Sequence, residues 1–270
     1  MNAGYWFSGD LLLRSAVARV LARPSLNQLA PTRTDNTLDR TYSVFYDGNA
    51  ELEPVVADQA DLSLEWYFDD KSVLSTAVFW KNIKNFITTE LEENVDIGVI
   101  ANIGDAGNAP LLYDVSRPVN GDKAKVLGVE IGAQHFFDSG LGFRASYTYT
   151  DTRAYIDGVH VGQLEGVSQD AFSAAVMFEN QRWDAQLAVD YSGEYTEILD
   201  SVNGLSQIGD PITYVTASVA YKVLDSLTVS LEGRNLADDY YSATLGGRDD
   251  IPQGFETWGR TVILGFALTF

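Results

Sequence analysis

The chain closes on Thr261-Val-Ile-Leu-Gly-Phe-Ala-Leu-Thr-Phe270, and the reading of this stretch decides the fold. Val262, Leu264, Phe266, Leu268 and Phe270 fall on one face of a period-two pattern. Thr261, Ile263, Gly265, Ala267 and Thr269 fall on the other. A period of two marks a β-strand. In water, a strand with an apolar face and a free edge is an aggregation hazard. In an outer membrane the apolar face meets lipid and the edge pairs to close a barrel.

The same alternation recurs upstream. It predicts ten strands, at about 11–22, 57–68, 72–83, 123–137, 141–151, 170–179, 183–192, 212–223, 227–236 and 258–270. Ala60, Leu62, Leu64, Trp66 and Phe68, for example, oppose Asp61, Ser63, Glu65 and Tyr67. Asp69-Asp70-Lys71, Asp138-Ser139-Gly140, Asn180-Gln181-Arg182 and Leu224-Asp225-Ser226 read as tight hairpin turns. Between them lie long segments of roughly 18 to 35 residues, near 23–56, 84–122, 152–169, 193–211 and 237–257, read as loops. Short and long connections alternate, as periplasmic turns and extracellular loops do in outer-membrane barrels. Parity agrees: if the first strand rises from the periplasm, the tenth descends and ends there. Trp66, Phe68, Phe137, Phe178, Trp183 and Tyr221 gather near the short turns, and Trp80, Tyr149 and Tyr191 near the long segments, as two interfacial girdles require. The first strand fits less well. Arg14 and Arg19 have opposite parity, so without a bulge Arg19 belongs at the outer rim, snorkelling to headgroups.

Composition excludes several classes. The chain is 46% hydrophobic and 12% aromatic, enough to order a large structure, and no run approaches eighteen apolar residues. There is no cysteine, and His135 and His160 stand far apart, so no metal site or cofactor is expected. A net charge of -20 disfavours nucleic acid. It suits loops that meet divalent cations and lipopolysaccharide. Residues 1–20 do not read as a secretory signal, which suggests a piece of a longer polypeptide.

Several motifs then resemble the barrel of TonB-dependent outer-membrane receptors. These are Arg23-Pro24-Ser25-Leu26-Asn27-Gln28-Leu29, followed by Gly48-Asn49-Ala50-Glu51-Leu52-Glu53-Pro54, in which Ala50 replaces a proline. The match continues through Asp58–Phe68, Val78–Ile87, Val126-Leu127-Gly128-Val129-Glu130 and Gly233-Arg234-Asn235-Leu236-Ala237-Asp238. Gly265, Leu268 and Phe270 are similar to the terminal signal read by the barrel-assembly machinery, with Ile263 where a polar residue is usual. The resemblance implies an all-β, antiparallel transmembrane barrel of 22 strands, plugged by an N-terminal domain that this chain lacks. At about 27 residues per strand a complete barrel needs roughly 600, so residues 1–270 are expected to supply about ten C-terminal strands.

The implied function is TonB-driven uptake of a large nutrient through the outer membrane of a Gram-negative bacterium. The wording leans towards the carbohydrate branch, with ferric siderophores or haem next. Expected partners are outer-membrane lipid and lipopolysaccharide, the TonB complex, the barrel-assembly machinery and the extracellular ligand. A sugar site wants aromatic faces beside carboxylates and amides. Tyr240, Tyr241, Asp249, Asp250 and Trp258 supply them, besides Tyr195, Glu194 and Glu197, while Arg248 and Arg260 flank the last loop. Parity turns Asp61, Glu65, Glu130, Arg144, Glu179, Asp184, Asp190, Lys222, Glu232 and Arg234 towards the lumen and the plug. Two other classes compete. An enzyme would need a nucleophile beside a histidine, and His160 near Asp157 and Ser168 lacks a Gly-x-Ser-x-Gly context. A stand-alone passive pore or adhesive barrel of ten strands could also close.

Overall fold

The computed structural model describes residues 1–35, 44–100, 110–202 and 205–269. Its strands begin with β1 (Asn2–Trp6), β2 (Leu11–Ala22), β3 (Arg33–Asp35), β4 (Val44–Asp47), β5 (Val55–Asp69), β6 (Ser72–Lys84) and β7 (Ile87–Ile100). Then come β8 (Pro110–Asn120), β9 (Lys123–Phe136), β10 (Leu141–Ile156), β11 (Val159–Gly162), β12 (Asp170–Glu179), β13 (Trp183–Ser192) and β14 (Tyr195–Val202). The last are β15 (Leu205–Gly209), β16 (Ile212–Leu224), β17 (Leu227–Arg234), β18 (Tyr241–Leu245), β19 (Arg248–Glu256) and β20 (Thr261–Leu268). One helical turn, α1 (Leu26–Leu29), follows β2.

A wall runs β1-β2-β5-β6-β9-β10-β12-β13-β16-β17-β20, every neighbour antiparallel, with β11 folded back on β10. All ten expected strands are in it, at bounds close to those the alternation gives. β1 is an addition: it pairs with β2 from Asn2↔Ala16 to Trp6↔Leu12, so the edge of the sheet is Asn2–Trp6 and not the strand expected at 11–22. Its five residues hold a glycine and one aromatic pair, too short for a period to register. Among the described residues neither β1 nor β20 has an outer partner, so the sheet is not closed.

The ladder registers sort wall residues onto two faces. Ser15, Leu62, Val78, Val129 and Tyr149 form one cross-strand row, and Leu13, Leu64, Thr76, Ile131 and Tyr147 the next. This apolar face is open: Leu62 is 51% exposed, Leu127 50%, Leu187 55% and Leu264 61%. An uncovered apolar face of this extent suits lipid and not water. Among the described residues no helix is long and apolar enough to cross a membrane. Rings line the end with the short turns: Trp66 and Phe68 lie 5.2 Å apart, His135 and Phe137 4.2 Å, and Trp183 and Tyr221 4.4 Å. His135 belongs to this belt and is hydrogen-bonded to Ser72. At the other end Gln169 donates to the Tyr149 hydroxyl at 2.9 Å, and Tyr191 stacks on Phe172 at 5.4 Å. β2 has no bulge. Arg14 donates to Glu65 at 2.8 Å on the polar face, and Arg19 grips Asp58 through bonds of 2.6 and 2.8 Å on the apolar face.

The long segments are not plain loops, which is the main correction to the sequence reading. Two of them share a four-stranded sheet, β3-β4-β8-β7, in which β4 and β8 run parallel, and two others share β14-β15-β18-β19. Thr88-Thr89-Glu90-Leu91-Glu92-Glu93 in β7 shows no apolar face. A register break between Glu92 and Val95 and a left-handed Asn94 (φ 59°) scramble the period further. A buried cluster of Phe86, Ala124, Ala154 and Leu199, with Ile83, Ile156, Val161 and Leu164 against it, joins these segments to the polar face of the wall.

Candidate ligand-binding mouth and polar wall

The registers place Asp61, Glu65, Glu130, Arg144, Glu179, Asp184, Asp190, Lys222, Glu232 and Arg234 on the same face. Some are satisfied locally: Glu65 by Arg14 and Tyr67, Asp190 by the Ser173 hydroxyl at 2.6 Å, and Glu232 by Arg234. Glu179 and Asp184 stand directly opposite each other, an arrangement that is unfavourable without a cation or donor from elsewhere. Asp61, Glu130 and Arg144 form no ion pair among the described residues.

The motifs at the strand tops work as knots. Ser25 caps α1 in a reciprocal box with Gln28. Gly48 packs against α1 so closely that a Cβ there would stand 1.6 Å from the Ala30 carbonyl oxygen. Asn49 donates its amide to the Pro118 carbonyl at 3.1 Å and accepts from Glu51 N–H at 2.9 Å, tying this element to β8. Asn120 bonds the backbone of Glu53 both ways, at 2.7 and 3.1 Å. At the far end, Asn235 is buried and left-handed (φ 49°). Its amide donates to the carbonyls of Asp239 and Gly259 at 2.8 and 3.2 Å and accepts from Asp239 N–H at 3.0 Å. Asp239 then accepts from Thr213 N–H at 2.7 Å.

Above these knots lies the mouth. Tyr241 donates to Glu197 at 2.6 Å, and Gln207 donates to the same carboxylate at 2.8 Å, locking β14, β15 and β18 together. Burial, then the hydrogen bond to Glu197, pushes the Tyr241 phenol up to about 12. Burial and the same carboxylate also raise Tyr195. Tyr240 faces Phe255 at 4.9 Å, and both are exposed. Arg248 clamps Asp250 through bonds of 3.1 and 2.8 Å, which lowers the carboxyl's pKa, and Trp258 lies 6.3 Å from Tyr214. Tyr241 pairs with Glu256 at the base of the β18–β19 hairpin, whereas Arg248 follows its tip. The expected ligand group is therefore strung along about 15 Å of hairpin and does not converge on one pocket. Tyr240 is brought to Phe255, which the sequence reading missed, while Tyr241 is spent on Glu197. A cleft of about 550 Å³ opens beside β7, β10, β11 and β14, between Thr88, Glu90, Ile156, Val159, Val161 and Leu199. Glu165 ties two of these residues together, accepting from Thr88 at 3.2 Å and from Leu199 N–H at 2.9 Å. No sequence signal singled out this carboxylate.

The family model for "TonB dependent receptor-like, beta-barrel" matches residues 2–236. The chain belongs to that family. Members of this TonB-dependent receptor family bind extracellular ligands, work with TonB and sit in the Gram-negative outer membrane; they are receptors and transporters, not enzymes. The hemoglobin-binding protein A of Haemophilus influenzae is 28% identical over 116 residues, which cover 41% of this chain and 11% of that protein. The ferric enterobactin receptor PfeA of Pseudomonas aeruginosa superposes over 100% of this chain and 39% of its own, with a TM-score of 0.66 and 18% identity. The siderophore receptor PirA of Acinetobacter baumannii matches with a TM-score of 0.65 and 13% identity, over 100% of this chain and 40% of its own. The chain thus spans about two fifths of the solved receptors it resembles, and these likenesses establish the fold. The grouping of His160 with Ser168 is not formed: Ser168 reaches the backbone carbonyls of Asp170 and Gly193, and His160 lies against Tyr155. Among the described residues no group of side chains could hold a metal ion. Of the residues read as an assembly signal, Gly265 stands opposite Ser230 on the polar face and Leu268 is exposed on the apolar one. Phe270 lies outside the described residues.

Proposed function

We propose that the chain is the C-terminal wall and part of the mouth of an outer-membrane importer for a large nutrient, driven through TonB. One observation carries the reading: a face that bears the wall's charged side chains backs an exposed apolar one, under a mouth tied down by side-chain knots. On this reading the polar face lines the lumen. Asp61, Glu130, Arg144, Glu179 and Asp184 would then receive the plug from a part of the polypeptide outside residues 1–270, which also carries the TonB contact. A passive pore or adhesive barrel has no need of either.

For the cargo, the exposed Tyr240–Phe255 pair, an aromatic face at the base of the β18–β19 hairpin, supports an oligosaccharide. A second reading, an iron-linked cargo, is favoured by the relatives, whose names refer to haemoglobin, siderophores and ferric enterobactin. The net charge of -20 speaks against a bare anionic chelate on either reading. The test is growth of a strain whose only such receptor is the intact protein. Carbon is supplied as oligosaccharide in one arm, and iron as haem or ferric siderophore in the other. TonB-dependent growth in one arm names the cargo. Growth that survives loss of TonB would replace the importer with a passive pore.

A further inference from the structure

The cleft of about 550 Å³ runs along an open strand edge. β7 stands at the margin of its four-stranded sheet, with no ladder partner on the side away from β8 among the described residues. Four consecutive residues of β7, Thr88 to Leu91, line the cleft. Neighbouring side chains of a strand point to opposite faces, so a cleft that touches all four follows the backbone edge. Main-chain groups are turned into it. Thr89 stands opposite Pro118, which has no N–H and whose carbonyl takes the Asn49 amide at 3.1 Å. That makes Thr89 and Pro118 a non-hydrogen-bonded pair, and Thr89 and Leu91 aim their N–H and C=O away from β8. No backbone hydrogen bond from another element reaches either residue among the described ones. Across the cleft the edge of β14 is already taken. Gly166 N–H donates to the Thr196 carbonyl at 2.8 Å, and Leu199 N–H donates to the Glu165 carboxylate at 2.9 Å. β7 is the side left open.

An open edge is a template for another strand, and its charges decide which strand. Antiparallel pairing of β7 with a second copy of itself about Leu91 would set Glu90 against Glu92, an unfavourable like-charge contact. A basic strand meets the opposite situation. The described residues that line the cleft include Glu90 and Asp157 and no Lys, Arg or His. Arg117 lies 3.6 Å from Glu90, but it is shared with Glu92 at 3.4 Å, and Asp157 forms no ion pair among the described residues. The far wall is aliphatic, built from Ile156, Val159, Val161 and Leu199. The edge from Thr88 to Leu91 is about 10 Å long, room for a four-residue stretch of extended chain. We propose that β7 takes an extended, basic polypeptide segment as an added strand. Thr89 and Leu91 supply the main-chain hydrogen bonds, Glu90 and Asp157 the preference for cations, and the aliphatic wall a seat for alternate apolar side chains.

The experiment titrates the full-length receptor, in a neutral detergent, with a capped octapeptide of alternating lysine and valine. Its comparators are the same peptide N-methylated at alternate amides, the alternating glutamate–valine peptide, and octalysine. We expect the lysine–valine peptide to bind at least roughly tenfold more tightly than any of the three. Leu91→Pro removes an N–H that β8 does not use, and it should weaken binding by roughly tenfold as well. Glu90→Gln combined with Asp157→Asn should weaken it severalfold, while Asp138→Asn at a short turn should stay within about twofold. Equal affinity for the methylated and unmethylated peptides overturns strand addition, and that comparison needs no variant to fold. Octalysine or the glutamate–valine peptide binding as tightly as the lysine–valine peptide overturns the assignment to a basic strand. Hydrogen exchange of the peptide-free receptor covers the other occupants. Thr89 and Leu91 amides already protected in the monomer would give the edge to another part of the same polypeptide. Protection that appears only in a dimer would give it to a second copy, and either result overturns the proposal. Growth that survives loss of TonB would sink the importer reading and leave the peptide result standing.

Discussion

Tyr241 and Asn235 show how single side chains hold the mouth. The Tyr241 phenol donates to Glu197 only while protonated, and its pKa lies near 12 against an ordinary value near 10. A raised folded pKa means the stabilisation is complete below about pH 10 and disappears as pH rises through 12. Tyrosinate absorbance of the intact receptor should show a late-titrating tyrosine that Tyr241→Phe removes; titration of every tyrosine near pH 10 would refute the buried hydrogen bond. For Asn235, a left-handed backbone and three side-chain bonds coincide. Asn235→Ala should cost about 2–3 kcal/mol in urea unfolding, since it leaves carbonyls unpaired and strains φ. A loss within 0.5 kcal/mol, the usual size of an ordinary surface change, would mean the knot contributes nothing. Glycine should recover part of the loss by relieving the backbone.

At the scale of elements, legibility followed burial symmetry. Wall strands carry an uncovered apolar face on one side and polar groups on the other, so their alternation was written plainly, and ten of them were readable from it. β7, β14 and β19 contact protein and solvent irregularly, and bulges shift their registers, so no single period survives. The knots were legible as motifs because their geometry demands particular residues: a glycine under Ala30 and an asparagine that tolerates positive φ. Of the candidate mouth residues, Tyr240 was read from the sequence but its neighbour Phe255 was not, because an exposed aromatic leaves no periodic trace, and Glu165 is a lone acid in an irregular segment. The face assignment has a direct check. Leu62→Arg should cost about 2–4 kcal/mol in bilayer refolding, falling with distance from the midplane, while the neighbouring Ser63→Arg should cost under about 1. Equal costs would mean that the two faces do not see different solvents.

On the whole-molecule scale the open wall matters most. Asn2–Trp6 and Thr261–Leu268 present unpaired ladders at its two margins. Residues 1–270 produced alone should associate in detergent through these edges. Sedimentation velocity should give dimers and larger species rising with concentration; a monodisperse, heat-modifiable monomer would show that the edges find each other.

The parallel pairing of β4 with β8 sets a clock. Phe45 meets Val115, about 70 residues away, and the whole β5–β6 hairpin lies between them. A hairpin zips from its turn, whereas a parallel pair must wait until a long excursion has been completed and brought home. Hairpins of the wall can therefore form one after another, but this clasp cannot close until β5 and β6 are seated. A molecule arrested midway through this sequence would be a staircase without a doorway.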